Sequence, residues 1–186
     1  HESIDPVRFI GNYSSGKRGC ALAKGAAELG AEVILISGPS EEKINNPSIS
    51  LINVTSANMM FEEIKKYYKS VDIAIASAAV SDFKPKNYVN QKIKKTKKPQ
   101  FLELIPTKDI LAYMGKNKKN QCLVGFALET ENELENAKHK LKKKNLDGIV
   151  LNSMQDEGAG FSGATNKIKF IRNNNSVEAF PLQSKL

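Results

Sequence analysis

Short β-branched runs alternate with longer helical stretches along this chain, and that rhythm constrains its fold more than any other feature. Val33-Ile34-Leu35-Ile36 is a continuous apolar run, the pattern of a strand buried on both faces. Leu51 to Val54, Ile73-Ala74-Ile75-Ala76, Leu123-Val124-Gly125-Phe126 and Gly148-Ile149-Val150-Leu151 repeat it. Helical segments lie between them. Ser15 to Leu29 is rich in alanine and is closed by Gly30, a good C-terminal stop. Ser56 is placed to cap a helix running to about Lys69, with Phe61, Ile64 and Tyr68 on one face. From about Glu131 to Lys144 the acids Glu131, Glu133 and Glu135 lead, and Lys138, Lys140, Lys142, Lys143 and Lys144 follow, the order a helix dipole favours. Such alternation predicts βαβ units and an α/β fold with a mostly parallel sheet. The end of the chain departs from the rhythm. Lys167 to Ile171 and Ser176 to Phe180 flank Asn173-Asn174-Asn175 and predict a hairpin.

One internal segment also breaks the alternation. Residues 84–98 carry seven lysines with little helical period and lead into the strand-like Phe101-Leu102-Glu103-Leu104-Ile105. This reads as a lysine-bearing flap or hairpin leaving the sheet. With no repeat and no low-complexity linker, residues 1–186 read as a single domain.

Composition narrows the function. The net charge of +8 favours a polyanionic partner: nucleic acid, anionic lipid or a phosphate-rich small ligand. No apolar run approaches the roughly 20 residues that span a bilayer, and nothing marks a signal peptide, so a cytoplasmic protein without a membrane partner is expected. Cys20 and Cys122 are too few for a disulfide framework and read as buried thiols. His1 and His139 are the only histidines, so neither a zinc site nor a Ser-His-Asp triad is expected. Phe83, Tyr88 and Phe101 are too sparse for a base-stacking platform, which argues against nucleic acid.

Three constellations carry chemistry. The first is Asn12-Tyr13-Ser14-Ser15-Gly16-Lys17-Arg18-Gly19 at the start of a helix. Glycines there let backbone N–H groups approach phosphate oxygens, and the helix N-terminus adds positive potential. The match to a Walker A loop fails where Arg18 replaces the Ser or Thr that would hold magnesium. A dinucleotide fingerprint fits poorly too, because no acid follows Ile36 to grip a ribose. Phosphate binding and a plain glycine-rich helix start both remain open from these residues alone. The second is Ser77-Ala78-Ala79-Val80-Ser81-Asp82 beyond the third strand, where open α/β sheets bind ligands. Asp82 there either accepts from a nucleotide, holds a cation, or simply caps a turn. The third is the lysine set: Lys92, Lys94, Lys95, Lys97 and Lys98 on the flap, with Lys140 and Lys144 on one face of the late helix.

At these residues the chain resembles a known family. Residues 4–19, Ile4-Asp5-Pro6-Val7-Arg8 through Gly19, closely resemble the opening motif of phosphopantothenate–cysteine ligases. Ala78-Ala79-Val80-Ser81-Asp82-Phe83 is similar to the family's second motif, and Lys92-Ile93-Lys94-Lys95 to its flap motif. Residues 124–130 and Lys144-Asn145-Leu146-Asp147 resemble two further family strings, in order. The resemblance implies a Rossmann-like three-layer fold, a homodimer whose flap covers the partner's site, and a possible decarboxylase partner or fusion. It implies condensation of 4′-phosphopantothenate with L-cysteine through an acyl-cytidylate, using CTP and Mg²⁺, in coenzyme A biosynthesis. Its ligand positions fall here on Arg8, Asn12, Ala78 and Lys92 for the substrate. Those for the nucleotide fall on Ser14, Gly16, Gly19, Ala78, Asp82, Lys92, Phe126, Lys140 and Lys144. Asn12, Lys92 and Arg8 are the implied catalytic residues; the residues that hold the metal are left unassigned. Family members begin with a strand and a Gly-Gly-Thr loop preceding this segment, so the resemblance also implies a gap in mid-sheet.

Overall fold

The computed structural model describes residues 1–129, 131–153 and 165–184. In chain order its elements begin with β1 (Glu2–Ser3), β2 (Phe9–Ile10), α1 (Lys17–Glu28), β3 (Val33–Ser37), β4 (Ile49–Asn53) and α2 (Ala57–Tyr67). A 3₁₀ turn (Tyr68–Ser70), β5 (Ile73–Ala76), β6 (Phe83–Pro85), β7 (Leu104–Pro106) and α3 (Ile110–Asn117) follow. The chain continues with β8 (Cys122–Glu129), α4 (Glu133–Lys143), β9 (Gly148–Ser153), β10 (Thr165–Arg172) and β11 (Val177–Ser184).

The central sheet has the order β11-β10-β9-β8-β5. Strands β5, β8 and β9 are parallel, with Ile75 opposite Val124 and Phe126 opposite Val150. The predicted hairpin is present as β10 and β11, antiparallel to each other, and β10 pairs antiparallel with β9. Strands β3 and β4 form a separate parallel ladder with Val33 opposite Ile49. The predicted α/β architecture with a mostly parallel sheet is therefore the one observed. Two expectations change. Ile34 and Ile75 are about two-fifths exposed, so β3 and β5 are not enclosed on both faces as the apolar runs suggested. Their side chains look into an open cleft between the two ladders. Cys122 is exposed rather than buried, because alternation along β8 turns Leu123, Gly125 and Ala127 inward instead; Cys20 is buried on α1.

The core lies where the sheet meets α2, α3 and α4. Leu123, Ile149, Leu151 and Ile171 from the strands pack with Met60, Met114, Ala137 and Leu141 from the helices. Truncating such a residue, as in Leu151→Ala, costs roughly 2–5 kcal/mol by lost burial and cavity formation. Helix ends follow local chemistry. Ser56 Oγ accepts from Met59 N at 3.2 Å, as its N-cap placement predicts. Gly30 adopts φ +90 after α1, the left-handed stop anticipated for it. Helix α3 was not anticipated; Asp109 caps it, accepting from Ala112 N at 2.8 Å. The flap is bounded by the antiparallel β6–β7 pair, with Lys84 opposite Ile105.

Candidate active site

A cleft of about 2400 Å³ opens beyond the carboxyl end of β5 and runs along the space between β3 and β5. It exceeds the roughly 300–1,000 Å³ of an ordinary ligand pocket because it includes that space between the ladders. Direct contacts tie the sequence motifs together at one end of the cleft.

The Asn12–Gly19 turn forms the floor of that end. Gly16 is the N-cap of α1 at φ +77, a conformation that L side chains rarely adopt. A Cβ on Gly16 would also lie 2.3 Å from Ser40 Oγ, which donates to Ser15 O at 2.8 Å. The loop after β3 thus braces the glycine turn, and no other residue type fits there without displacing it. Ser14 Oγ is 3.4 Å from Gly16 N, a long contact. Gly19 faces the segment after β5, where a Cβ would stand in ordinary contact, 3.6 Å from Ser77 Oγ. Asn12 Nδ2 donates to Val80 O at 3.0 Å, fastening the turn to the segment after β5. One Asn12 N–H and its Oδ1 remain for other partners.

The 77–82 segment forms one wall. Ala78 and Asp82 line the cleft and are exposed. Thr107 holds this segment in shape, with Thr107 Oγ1 donating to Ser81 O at 2.6 Å and Thr107 N to Asp82 O at 2.9 Å. The opposite wall comes from β8 and α4. Lys140 Nζ donates to Phe126 O at 2.9 Å, and the Arg18 guanidinium stands 5.2 Å from the Phe126 ring centroid, a cation–π contact. Burial lowers the pKa of Arg18, yet a guanidinium remains cationic. Lys144 Nζ forms an ion pair with Asp109 Oδ2. Burial alone would raise the Asp109 pKa, but the Lys144 ammonium and the Ala112 N–H outweigh it and hold the carboxyl below its ordinary range. The backbone of Lys144 is equally fixed. A Cβ on Gly115 would lie 1.9 Å from Lys144 O, and Asn145 Nδ2 donates to Gly115 O at 2.9 Å.

Asn12, Ser14, Gly16, Gly19, Ala78, Asp82, Phe126, Lys140 and Lys144, separated by up to 132 residues (144 − 12), thus line one cleft. Arg8 and Lys92 do not line it. Arg8 sits in the turn between β1 and β2, where Nε and Nη2 donate to Asp5 Oδ2 and Nη2 also donates to Ile93 O at 2.9 Å. The fork that a substrate anion was expected to meet is therefore engaged within the protein through Nε and Nη2, while the side chain stays half exposed. Lys92 is exposed on the flap. Asp147, in the late family string, is a structural anchor: both its carboxylate oxygens accept from Lys118 Nζ at 3.0 Å, and Oδ2 also accepts from Leu123 N at 2.8 Å. Thr130 of the preceding string lies outside the described residues.

Sequence reasoning missed Asp5, Arg18, Thr107 and Asp109 as parts of this assembly. Asp109 had a readable signal, since an Asp before Ile110, Leu111 and Met114 is a helix start. Arg18 and Thr107 act through contacts distant in sequence and carried no local signal, whereas Asp5 makes most of its bonds within three residues and only its bond from Ile93 N is distant. Among the described residues no group of three or more His, Cys, Asp or Glu is placed to hold a metal ion. Asp82 is an exposed carboxylate of the cleft, whereas Asp109 is paired with Lys144, an arrangement that suits a hydrated divalent ion arriving on phosphate oxygens rather than a resident metal.

These features define a Rossmann-like α/β domain with a composite site at the carboxyl end of its parallel strands. Over residues 1–186 the sequence matches the family described as DNA/pantothenate metabolism flavoprotein C-terminal domain, and the chain belongs to that family. The coenzyme A biosynthesis bifunctional protein CoaBC of Bacillus subtilis (strain 168) is 45% identical over 185 residues, covering 100% of this chain and 46% of that protein. A cysteine/cysteine sulfinic acid decarboxylase from an unknown prokaryotic organism is 51% identical, covering 99% of this chain and 52% of its own length. The chain thus spans about half the length of these curated relatives. The crystal structure of the C-terminal domain of CoaBC superposes with a TM-score of 0.82 at 38% identity, covering 99% of this chain and 82% of that one. Among the described residues no helix is long and apolar enough to cross a membrane.

Proposed function

We propose that this domain is a CTP-dependent phosphopantothenate–cysteine ligase, joining 4′-phosphopantothenate to L-cysteine in the cytoplasm, within coenzyme A biosynthesis. The observation that carries the reading is the convergence of the Gly16 turn, Asn12, Asp82, Lys140 and Lys144 on one cleft. The similarity to proteins named for coenzyme A biosynthesis supports it.

The chemistry follows from what each group offers. The substrate carboxylate attacks the α-phosphorus of CTP, the bond to the β-phosphate breaks, and diphosphate leaves. The N–H groups of the Gly16 turn and the start of α1 bind the displaced phosphates, and Lys140 and Lys144 oppose their charge. Asp82 is the residue that would help hold a hydrated Mg²⁺ arriving with the nucleotide, and such an ion would neutralise part of that charge. Lys92, delivered by the flap, stabilises the charge that builds at the α-phosphate. In the second half the neutral amine of cysteine attacks the acyl carbon, its extra proton is lost, and the C–O bond to CMP breaks. The free N–H of Asn12 is the donor for the oxyanion of that step, and its contact with Val80 O sets its direction. An amide is no base at neutral pH, so Asn12 acts by hydrogen bonding. Arg8 meets the substrate anion with Nη1.

A homodimer is part of the proposal. The flap exposes Phe101, Phe83, Tyr88, Val89, Leu102 and Leu104, and a second copy is the partner that would cover them. Lys92 stands outside its own cleft, as a lysine serving the partner's site would. A decarboxylase partner or fusion is part of the proposal as well, supported by the similarity to a protein named for decarboxylation and to one named bifunctional, each covered to about half of its length. The test is incubation of the protein with 4′-phosphopantothenate, cysteine, Mg²⁺ and CTP or ATP, with mass spectrometry of diphosphate, CMP and phosphopantothenoylcysteine. Product with CTP, and less with ATP, is expected; folded protein that releases no diphosphate with either nucleotide sinks the reading.

A further inference from the structure

Asp5 lies in the loop between β1 and β2, yet its side chain is fully shielded from solvent beside a half-exposed Arg8. Its two oxygens divide their work. Oδ1 accepts from Val7 N and Arg8 N, both at 2.9 Å, which shapes the local turn. Oδ2 accepts from Arg8 Nε at 3.0 Å, from Arg8 Nη2, and from Ile93 N at 3.1 Å, 88 residues away on the flap. Arg8 Nη2 closes the triangle by donating to Ile93 O. A further bond, Val89 N to Ile4 O at 3.0 Å, ties the same two segments.

The consequence is geometric. The Ile93 N–H belongs to the peptide plane shared with Lys92, and the Ile93 carbonyl to the plane shared with Lys94. Holding both planes fixes the chain on each side of Ile93 and so sets where Lys92 leaves the flap. Turn formation alone needs only Oδ1, an acceptor that Asn supplies equally well. An ionised oxygen saturated by a guanidinium and a distant amide has a different use.

We propose that Asp5 is a positioning residue that bolts Arg8 and the Lys92 segment of the flap into one unit, so that the substrate arginine and the flap lysine move together. The inference rests on the ligase reading for its kinetic part and on geometry alone for its structural part. Asp5→Asn is the discriminating variant. It keeps Oδ1 for the turn and puts a donor in place of Oδ2, so it unbolts the arginine and the flap while preserving the loop.

The experiment compares wild type, Asp5→Asn and Asp5→Ala in full-length protein, by thermal unfolding, hydrogen exchange of the Ile93 amide, and CTP-dependent diphosphate release. The expected result is a lowered unfolding midpoint at neutral pH for Asp5→Asn, since a shielded, ionised partner of Arg8 is lost, with exchange at Ile93 at least about tenfold faster, and, at a temperature where the variant is fully folded, kcat/KM down about 100-fold, mostly in kcat, the scale of a misplaced catalytic group. Asp5→Asn should add little to Lys92→Ala if it acts through that lysine. Protection of Ile93 and kcat/KM both unchanged in Asp5→Asn would overturn the proposal. So would a loss of activity accompanied by a lower unfolding midpoint and an unchanged Ile93. Because Ile93 exchange needs no substrate, failure of the ligase reading and failure of the bolt are separately visible.

Discussion

Lys144 on α4 and Lys92 on the flap carry the same charge on the same flexible stem, yet the protein holds them in opposite ways. Lys144 is pinned at both ends: its ammonium pairs with Asp109, and its carbonyl packs against Gly115 so closely that a methyl group would collide. Its side chain is 16% exposed. Lys140, one turn earlier, donates to Phe126 O. Lys92 is exposed, and what is fixed near it is the backbone of Ile93. A lysine that must hold a ligand on arrival benefits from preorganisation, because little reorganisation remains to be done. A lysine that must arrive after the ligand benefits from a fixed hinge and a free tip. The two arrangements suggest a division of labour between binding and activation.

The largest expected effects test the mobile side of that contrast. Lys92→Ala should slow diphosphate release by about 10²-fold or more, the scale for one lost donor at developing charge. Its unfolding midpoint should barely change, since substitutions of exposed residues away from packed features stay within about 0.5 kcal/mol. Asn12→Asp should lose about 10²–10³-fold and accumulate acyl-cytidylate or stall, because the oxyanion donor is replaced by a like charge. Mixing the two inactive variants is the sharper measurement. If the flap serves the partner's site, random dimers carry one intact site in half of the pairs, and about a quarter of wild-type activity should return. No recovery would mean that each flap serves its own cleft, and would merge the two lysine classes into one.

Lys144→Ala should act differently. If Lys144 serves the nucleotide as proposed, its loss should raise the KM for CTP by about tenfold, roughly the value of one charge-assisted contact. Here stability should fall as well, by up to about 1 kcal/mol, because half-exposed Asp109 loses its partner and solvent screens the rest. A Lys144→Ala protein with a normal KM and lower stability would make this lysine structural only, like Lys118 with Asp147.

How much of this was legible in the chain depends on whether a feature is local. The strand at Val33–Ser37, the cap at Ser56, the stop at Gly30 and the hairpin around Asn173 to Asn175 are each set by residues a few positions apart, and each was readable. The cleft residues were readable as a set only through the family resemblance, since Asn12 and Lys144 share no local pattern. The exposure of Ile34 and Cys122 was not readable, because an apolar run reports that a strand exists and not which of its edges is covered. The Asp5–Arg8–Ile93 triangle was invisible for a related reason. An Asp-Pro turn looks the same whether its second oxygen faces water or a flap 88 residues away.

Acid titration separates the two carboxylates that organise the lysines. Both Asp5 and Asp109 have pKa values lowered on folding. The Arg8 guanidinium is the main cause at Asp5; burial opposes it, and the Val7, Ile93 and Arg8 amides reinforce it. At Asp109 burial again opposes, and Lys144 prevails. A lowered folded value means that each carboxylate stabilises the fold fully above the unfolded pKa of about 3.9, and that this contribution disappears as pH falls through the folded value. Unfolding midpoints should therefore fall below about pH 4. Asp5→Asn and Asp109→Asn should each flatten that fall, and Asp109→Asn should do so by less than about 1 kcal/mol, because its carboxylate is half exposed. An unchanged acid limb in both variants would mean that these pairs contribute nothing to folding and serve orientation alone.

The smallest expected effect is on the flap's own ion pair. Lys86 Nζ meets Glu103 Oε1 at 2.8 Å across the base of the hairpin, with both side chains at least half exposed. The backbone bond beside it, Lys86 N to Glu103 O at 2.9 Å, closes the same turn of the ladder without any charge. Glu103→Gln should change stability by less than about 0.5 kcal/mol. If the bolt at Asp5, rather than the rim of the hairpin, governs where Lys92 goes, diphosphate release by Glu103→Gln should match wild type at both low and high salt. A kinetic loss that grows as salt is lowered would mean that surface charge along the flap steers its tip, and the contrast between a fixed hinge and a free tip would have to include the whole hairpin.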